Sequence, residues 1–169
     1  MKRNLRRASG STRKLTRGAL IASLYVGLCY VSTIFGLSSG AIQFRIAEAL
    51  CILPIFMPEA IGGLFVGCML SNIIAQCAPW DIVFGSIATL IGALGAYALR
   101  KLPHKLMWIA TLPNLVANMI IVPLVLMYAY GVEGGFFALS VSVGIGEMVC
   151  GVIGGSALYY SIKDMRFLK

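Results

Sequence analysis

The sequence predicts an all-α integral membrane protein, a bundle of six transmembrane helices with both termini cytoplasmic. The mean hydropathy is +0.90, and only 12% of the 169 residues are charged, against about 25% in soluble domains. The basic residues gather in three clusters, one near each terminus and one between two apolar segments. At this length we expect a single domain.

Six apolar segments are separated by loops rich in glycine, proline or polar residues. A full crossing of the hydrocarbon core takes about 20 apolar residues. The segments fall at 17–35, 46–57 (or 41–57), 59–75, 81–99, 106–130 and 136–162. The second is too short to cross alone at ~1.5 Å per residue, so its neighbours or flanks must support it. Residues 1–16 are then a basic cytoplasmic tail, 17–162 the membrane domain and 163–169 a second short basic tail.

The distribution of positive charge sets the orientation. Six spans place both termini and the loop between the fourth and fifth spans on one side. That side holds Lys2, Arg3, Arg6, Arg7, Arg13, Lys14 and Arg17, then Arg100, Lys101 and Lys105, then Lys163, Arg166 and Lys169. By the positive-inside rule this side is cytoplasmic. The opposite loops, 36–45, 76–81 and 131–135, carry only one basic residue, Arg45.

Several kinds of chemistry are not expected from this sequence. The five cysteines are scattered and His104 is the only histidine, so neither a metal site nor a disulfide framework is predicted. No resident cofactor is expected. There is no nucleotide-binding G-x-x-x-x-G-K-[ST] motif, and no catalytic Ser/His pair or pair of histidines points to an enzyme.

The stretch from Phe44 to Pro54 holds the most informative charges. Arg45 and Glu48 begin an apolar segment, where an ionisable group costs roughly 2.5–3.5 kcal/mol and usually marks a ligand or ion site. Three residues apart on a helix, the two side chains can pair. The alternative is a salt bridge at the lip of the bundle that only orients the helix.

Other polar and aromatic residues are predicted at the outer half of the same bundle. Counting along the spans places Glu147 near the midplane, at ~18 Å. The further candidates are Asp81, Asn72, Asn114, Asn118, Trp80 and Tyr130. The asparagines could instead be interhelical hydrogen-bond partners, and the aromatic residues could be interfacial anchors. As a ligand site, the set suits a flat, nitrogen-rich molecule whose N–H groups bond to carboxylates and whose ring stacks on aromatics.

Small residues in the first span form two candidate contact patterns. These are Gly18-x-x-x-Ala22 and Ala19-x-x-x-Ser23, and such spacing lets helix backbones approach closely. The patterns serve either packing within the bundle or docking to another membrane protein.

Three motifs resemble the queuosine-precursor transporter family, whose members are the substrate-binding subunits (S components) of energy-coupling factor importers. The motifs are GAIQFRIAEAL at 40–50, WDIVFGS at 80–86 and SVGIGE at 142–147. The resemblance covers essentially residues 15–162. It implies a bacterial plasma-membrane protein without its own ATPase, partnered by a transmembrane coupling subunit and two ATPase subunits. It also implies a 7-deazaguanine ligand, either the 7-aminomethyl compound or its 7-cyano precursor.

The resemblance further implies that Ala19 and Ser23 of the first span face the coupling subunit, although Ser23 replaces an alanine of the family pattern, and we expect Ala22 to join this docking surface. We expect the ligand to bind at Glu147, Glu48, Asp81, Asn118, Asn72, Arg45, Trp80, Phe44 and Asn114. The sequence does not assign which carboxylate binds which edge of the ligand. The alternatives are an S component for another vitamin or nucleobase-like ligand and an integral-membrane enzyme.

Overall fold

The computed structural model describes residues 2–36 and 44–165, with side chains from residue 11 onward, and this part of the chain is all-helical. The α-helices are α1 (Lys2–Ile34), α2 (Glu59–Ile74), α3 (Pro79–Ala98), α4 (Leu112–Ala129), α5 (Phe136–Glu147) and α6 (Gly155–Ile162). A 3₁₀ helix, Ile46–Ile55, lies between α1 and α2, and a second, His104–Thr111, leads into α4. A π-helical stretch, Met148–Gly154, joins α5 to α6. The all-α prediction is confirmed.

Four helical stretches are long and apolar enough to cross a membrane. They are Ser11–Ile34, Pro79–Ala98, His104–Ala129 and Phe136–Ile162, whereas Ile46–Ile55 and Glu59–Ile74 are shorter apolar helices. The chain is thus a multi-pass membrane protein, but length and composition alone support four spans rather than six. The helix that contains the first predicted span begins before it, because α1 starts at Lys2 and includes the basic segment. Arg, Lys and Leu favour helix and residues 2–16 contain no proline to stop it.

Contacts between helix ends show that successive elements alternate in direction. The start of α2 lies beside the middle of α1, where Arg17 and Glu59 form a salt bridge at 3.2 Å, so α1 extends past the start of α2 at this end of the bundle. The Tyr160 hydroxyl of α6 donates to the His104 carbonyl at 2.9 Å, which places the C-terminus of α6 beside the helix that leads into α4. We call this the basic end, because the described basic residues other than Arg45 lie here. Arg166, Lys169 and most of the predicted 36–45 loop lie outside the described residues.

The 3₁₀ helix Ile46–Ile55 runs through the interior of the bundle. It packs against α1, α3, α6 and the π-helical stretch, and seven of its residues are buried: Ala47, Glu48, Leu50, Cys51, Ile52, Leu53 and Pro54. Its apolar side chains join the main core cluster with Tyr25 and Leu64. This position explains how a ten-residue segment is stable without spanning the membrane alone, and it carries Glu48 into the interior.

Close packing of α1 on α2 uses one of the two small-residue patterns. A Cβ on Gly63 would lie 2.5 Å from the Gly18 carbonyl oxygen, and one on Gly67 would lie 3.0 Å from that of Ala22. Ala22 itself is buried. The expectation that Ala22 faces a partner subunit is therefore wrong, because its side of α1 is covered by α2.

Candidate ligand-binding site

A cavity of about 480 Å³ opens at the end of the bundle opposite the basic end. Its volume is typical of small-molecule sites, and its walls are mainly apolar with a few polar groups, as such sites require. The apolar lining includes Val26, Ile74, Val122, Val125, Leu126 and Val132, and the polar lining includes Ser32, Thr33, Arg45, Ser71, Asn72, Asp81 and Tyr130. The predicted site residues Arg45, Asn72 and Asp81 thus meet at one cavity.

Asp81 is held in place by its neighbours in the wall. It lies in the first turn of α3 and is buried, and its Oδ2 accepts a hydrogen bond from the Tyr130 hydroxyl at 3.0 Å. The Asn72 side-chain amide donates to the Asp81 carbonyl at 3.3 Å. A Cβ on Gly85 would lie 3.1 Å from Asn72 Nδ2 and 3.3 Å from Asp81 Oδ1. A glycine one turn along α3 therefore makes room for both polar side chains.

Arg45 lies in the cavity wall, immediately before the 3₁₀ helix. Its backbone is extended, with φ −102° and ψ 93°, so it does not share a helix face with Glu48. Among the described residues it forms no ion pair within 4 Å, and the predicted Arg45–Glu48 pair is wrong. Burial acts to lower the pKa of Arg45. The nearby Asp81 carboxylate, followed by other acidic groups, acts to raise it, and the net result is a pKa above the ordinary value. The cavity thus contains one cation and one carboxylate held apart.

Glu48, Asn114 and Glu147 form a second polar group, which we call the inner carboxyl cluster. Asn114 Nδ2 donates to Glu48 Oε2 and to Glu147 Oε2, both at 3.0 Å. The Tyr25 hydroxyl donates to Glu48 Oε1 at 2.5 Å, and Asn118 Nδ2 donates to the Asn114 carbonyl at 3.1 Å. All of these side chains are buried, and none of them lines the cavity. The two carboxyl groups therefore share one amide donor in an apolar interior, where a buried polar group needs a hydrogen-bond partner.

Glycines at two helix crossings make room for the inner carboxyl cluster. A Cβ on Gly92 of α3 would lie 2.2 Å from Asn114 Oδ1, and one on Gly151 would lie 2.9 Å from Glu147 Oε2. Gly151 belongs to the π-helical stretch that begins directly after Glu147, and such irregular turns are frequent at functional sites. Asn114 Oδ1 is buried and has no hydrogen-bond partner among the residues that the structure describes.

The predicted aromatic residues take different positions. Trp80 is 62% exposed and stacks on Phe84 with ring centroids 6.0 Å apart. Phe44 is half-buried, and neither Trp80 nor Phe44 lines the cavity. Tyr130 does line it, although the sequence favoured an interfacial anchor over a ligand contact. Ser32 and Ser71 were missed, because serine in an apolar helix has no distinctive sequence signal.

The second small-residue pattern of α1 lies on the outer surface. Ala19 and Ser23 are exposed, as is Gly27 one turn further, where an added Cβ would have no heavy atom within 4 Å. The Ser23 hydroxyl donates to the Ala19 carbonyl within the helix at 3.0 Å. This face is therefore uncovered in the isolated chain. In the part of the chain that the structure describes, no three His, Cys, Asp or Glu side chains gather as a metal site.

Comparison with known proteins agrees with the sequence resemblance. Residues 15–164 match the model of the QueT transporter family. Over 92 residues the chain is 32% identical to a protein named queuosine precursor transporter QueT from Lactococcus lactis subsp. cremoris (strain MG1363). That match covers 53% of this chain and 53% of the relative, so the chain spans about half the length of the curated relative it matches. No solved structure matches the chain. Because the family match covers most of its length, the chain belongs to the QueT transporter family, a family of transporters rather than enzymes.

Proposed function

We propose that this protein is the substrate-binding membrane subunit of an ATP-driven importer, and that it captures a queuosine precursor from outside the cell. Membership of the QueT family supports transport. The printed name of the relative from Lactococcus lactis supports the ligand class. The proposed ligand is 7-aminomethyl-7-deazaguanine or its 7-cyano precursor.

The observation that carries this proposal is the separated pair of Arg45 and Asp81 in the cavity wall. A guanine-type edge offers a carbonyl oxygen beside an N–H and an NH₂ group, one acceptor next to two kinds of donor. A carboxylate oxygen of Asp81 accepts from the N–H groups of this edge, and the guanidinium of Arg45 donates to the carbonyl oxygen. A 7-deazaguanine placed between Asp81 and Arg45 would therefore satisfy both charges, with apolar side chains against its ring faces.

The inner carboxyl cluster is assigned a supporting role in this proposal. The cavity does not reach Glu147, whose Oε2 is bonded to Asn114. The sequence predicted direct ligand contacts by Glu147, Glu48, Asn114 and Asn118. Because none of these side chains lines the cavity, we propose that Asp81, Arg45 and Asn72 contact the ligand instead. The cluster fixes the crossing of the 3₁₀ helix, α4 and α5 below the cavity.

We further propose six passes through the membrane with both termini cytoplasmic. The 3₁₀ helix and α2 would complete the second and third passes with their flanks, and the basic end would face the cytoplasm. In proteins with one cysteine each, an impermeant maleimide applied to intact cells should label Cys77 but not Pro103→Cys. Labelling of Pro103→Cys and not of Cys77 would reverse the orientation.

The partners in this proposal are a transmembrane coupling subunit and two ATPase subunits, which supply the energy because the sequence lacks a nucleotide-binding motif. The exposed Ala19 and Ser23 face of α1 is the proposed docking surface. The small side chains allow another helix to approach closely.

Calorimetric titration of the purified protein tests the ligand directly. We expect 7-aminomethyl- or 7-cyano-7-deazaguanine to bind, while thiamine and riboflavin do not. Mass spectrometry of small molecules that co-purify with the detergent-extracted protein gives an independent identification. Binding of an unrelated vitamin, with no binding of either deazaguanine, would show that the ligand assignment is wrong while leaving the cavity as the site.

A further inference from the structure

Tyr130 makes two hydrogen bonds that join separate parts of the cavity wall. Its hydroxyl donates to Asp81 Oδ2 and accepts from the backbone N–H of Ala78, both at 3.0 Å. Ala78 is the residue that caps the N-terminus of α3, and Asp81 lies in the first turn of the same helix. Tyr130 follows the last turn of α4, 49 residues beyond Asp81 along the chain. One hydroxyl therefore connects the end of α4 to the start of α3.

The loop held by this hydroxyl is short and tightly bent. Gln76 has a positive φ of 55°, a conformation that few residues other than glycine adopt. The Cys77 N–H donates back to the Asn72 carbonyl at 3.0 Å. Ala75 and Cys77 line the cavity, so the loop of residues 75–78 forms part of its rim. In the part of the chain that the structure describes, the hydrogen bond from Ala78 to Tyr130 connects this loop to the end of α4.

The second bond orients the carboxylate. Oδ2 of Asp81 accepts a hydrogen bond from Tyr130 within the cavity wall. Oδ1 is not the oxygen that bonds Tyr130, and it is the oxygen left for a ligand. A tyrosine hydroxyl has one hydrogen to donate, so its donation to Asp81 also fixes its oxygen as the acceptor for Ala78.

We propose that Tyr130 is the positioning residue of this site, which orients Asp81 Oδ1 toward the ligand and holds the 75–78 loop against α4. The orientation of Asp81 matters for the ligand only if the proposed function holds. The attachment of the loop does not depend on which ligand binds. The two halves are therefore tested by different measurements on the same variant, Tyr130→Phe, which keeps the ring and removes both hydrogen bonds.

Labelling of Cys77 reports on the loop without any ligand. Burial, followed by the Asp81 carboxylate, raises the pKa of the Cys77 thiol, while the Tyr130 hydroxyl acts to lower it. Loss of the hydroxyl removes the contact that acts to lower that pKa, and this loss by itself does not speed reaction with maleimide, which needs the thiolate. Faster labelling in Tyr130→Phe therefore indicates that the loop has been released from the packing that covers Cys77.

The experiment uses the full chain with Cys77 as its single cysteine, in wild-type, Tyr130→Phe and Tyr128→Phe forms. Tyr128 is 85% exposed and serves as the matched control. We expect several-fold faster labelling and about tenfold weaker deazaguanine binding for Tyr130→Phe, the loss that one hydrogen bond to a charged group produces, with no change for Tyr128→Phe. Adding Asp81→Asn should not multiply the loss of affinity, because both changes act on one contact.

Each outcome decides one half of the proposal. An unchanged labelling rate in Tyr130→Phe would overturn the attachment of the loop. Unchanged affinity, or a loss that multiplies with that of Asp81→Asn, would overturn the orientation of Asp81. If the wild type binds neither deazaguanine, the proposed function fails, while the labelling comparison still decides whether Tyr130 holds the loop.

Discussion

Asp81→Asn is the substitution that most directly tests the site, because the structure predicts how the new amide will orient. If the amide nitrogen replaced Oδ2, the Tyr130 hydroxyl would face two donors, the amide and the Ala78 N–H, and would lose its own acceptor. The amide oxygen is therefore expected to take the Oδ2 position, which accepts from Tyr130 at 3.0 Å. The amide nitrogen then takes the position of Oδ1, where it meets the N–H groups of a guanine-type ligand.

The expected effect on binding follows from this donor–donor contact. An unmade hydrogen bond in a buried site costs roughly 1–3 kcal/mol, more where a charge was involved. The affinity for the deazaguanine should thus fall by about 10- to 100-fold or beyond. Calorimetric titration of the purified variant measures this, and the protein fold should be retained because the wall-side hydrogen bond is kept.

Glu147→Gln is the matched control from the inner carboxyl cluster. The amide oxygen of glutamine can still accept from Asn114, and one of two neighbouring buried carboxyl groups is removed. We expect little change in affinity and an equal or higher unfolding temperature, since a buried ionisable group is replaced by a neutral one. If Glu147→Gln loses binding while Asp81→Asn binds like wild type, the ligand contacts the inner cluster and the assignment of the cavity wall is wrong.

Two further predictions concern packing and partner docking. Gly92→Ala should lower the unfolding temperature, because the added Cβ would clash with Asn114 Oδ1 and overpacking typically costs about 1–3 kcal/mol. The control, Gly62→Ala, places its Cβ where no other atom is near and should be neutral or stabilising. Equal unfolding temperatures for the two variants would contradict this crossing geometry. Replacing Ala19 and Ser23 together with leucine should abolish ATP-driven uptake by the assembled importer but leave ligand binding by the isolated subunit intact, since both side chains are exposed. Normal uptake by that double variant would remove this face from the docking surface.

The polar residues divide into two groups with different proposed roles, ligand contact in the cavity wall and support of a helix crossing in the inner carboxyl cluster. Depth along the helices did not distinguish these groups. Residue counting predicted one pocket that contains Glu147 and Asn118 near the midplane and Asp81 near the outer end of its span. In the structure only Asp81 reaches the cavity, while Glu147 and Asn118 lie in the network around Asn114. Depth along a helix does not specify the direction in which a side chain points around the helix axis, and that direction decides which residues line a cavity.

The sequence by itself determined the class of the protein and its apolar segments. High hydropathy and few charges require a membrane environment, and the placement of lysine and arginine makes one end basic. These are properties of composition and order along the chain, because the cost of burying a charge in lipid does not depend on the detailed fold. Arg45, Asn72 and Asp81 could be selected in the same way, as rare polar groups in apolar surroundings.

Only the tertiary structure decided which of these groups meet. Arg45 has an extended backbone before a 3₁₀ helix rather than starting an α-helix, so it lines the cavity with Asp81. Glu48 instead accepts hydrogen bonds from Tyr25 and Asn114. Likewise, Ala22 is buried against α2 while Ala19, three residues earlier, is exposed. Such choices depend on helix rotation and on glycine-mediated approaches between segments far apart in sequence, and local propensity does not encode either.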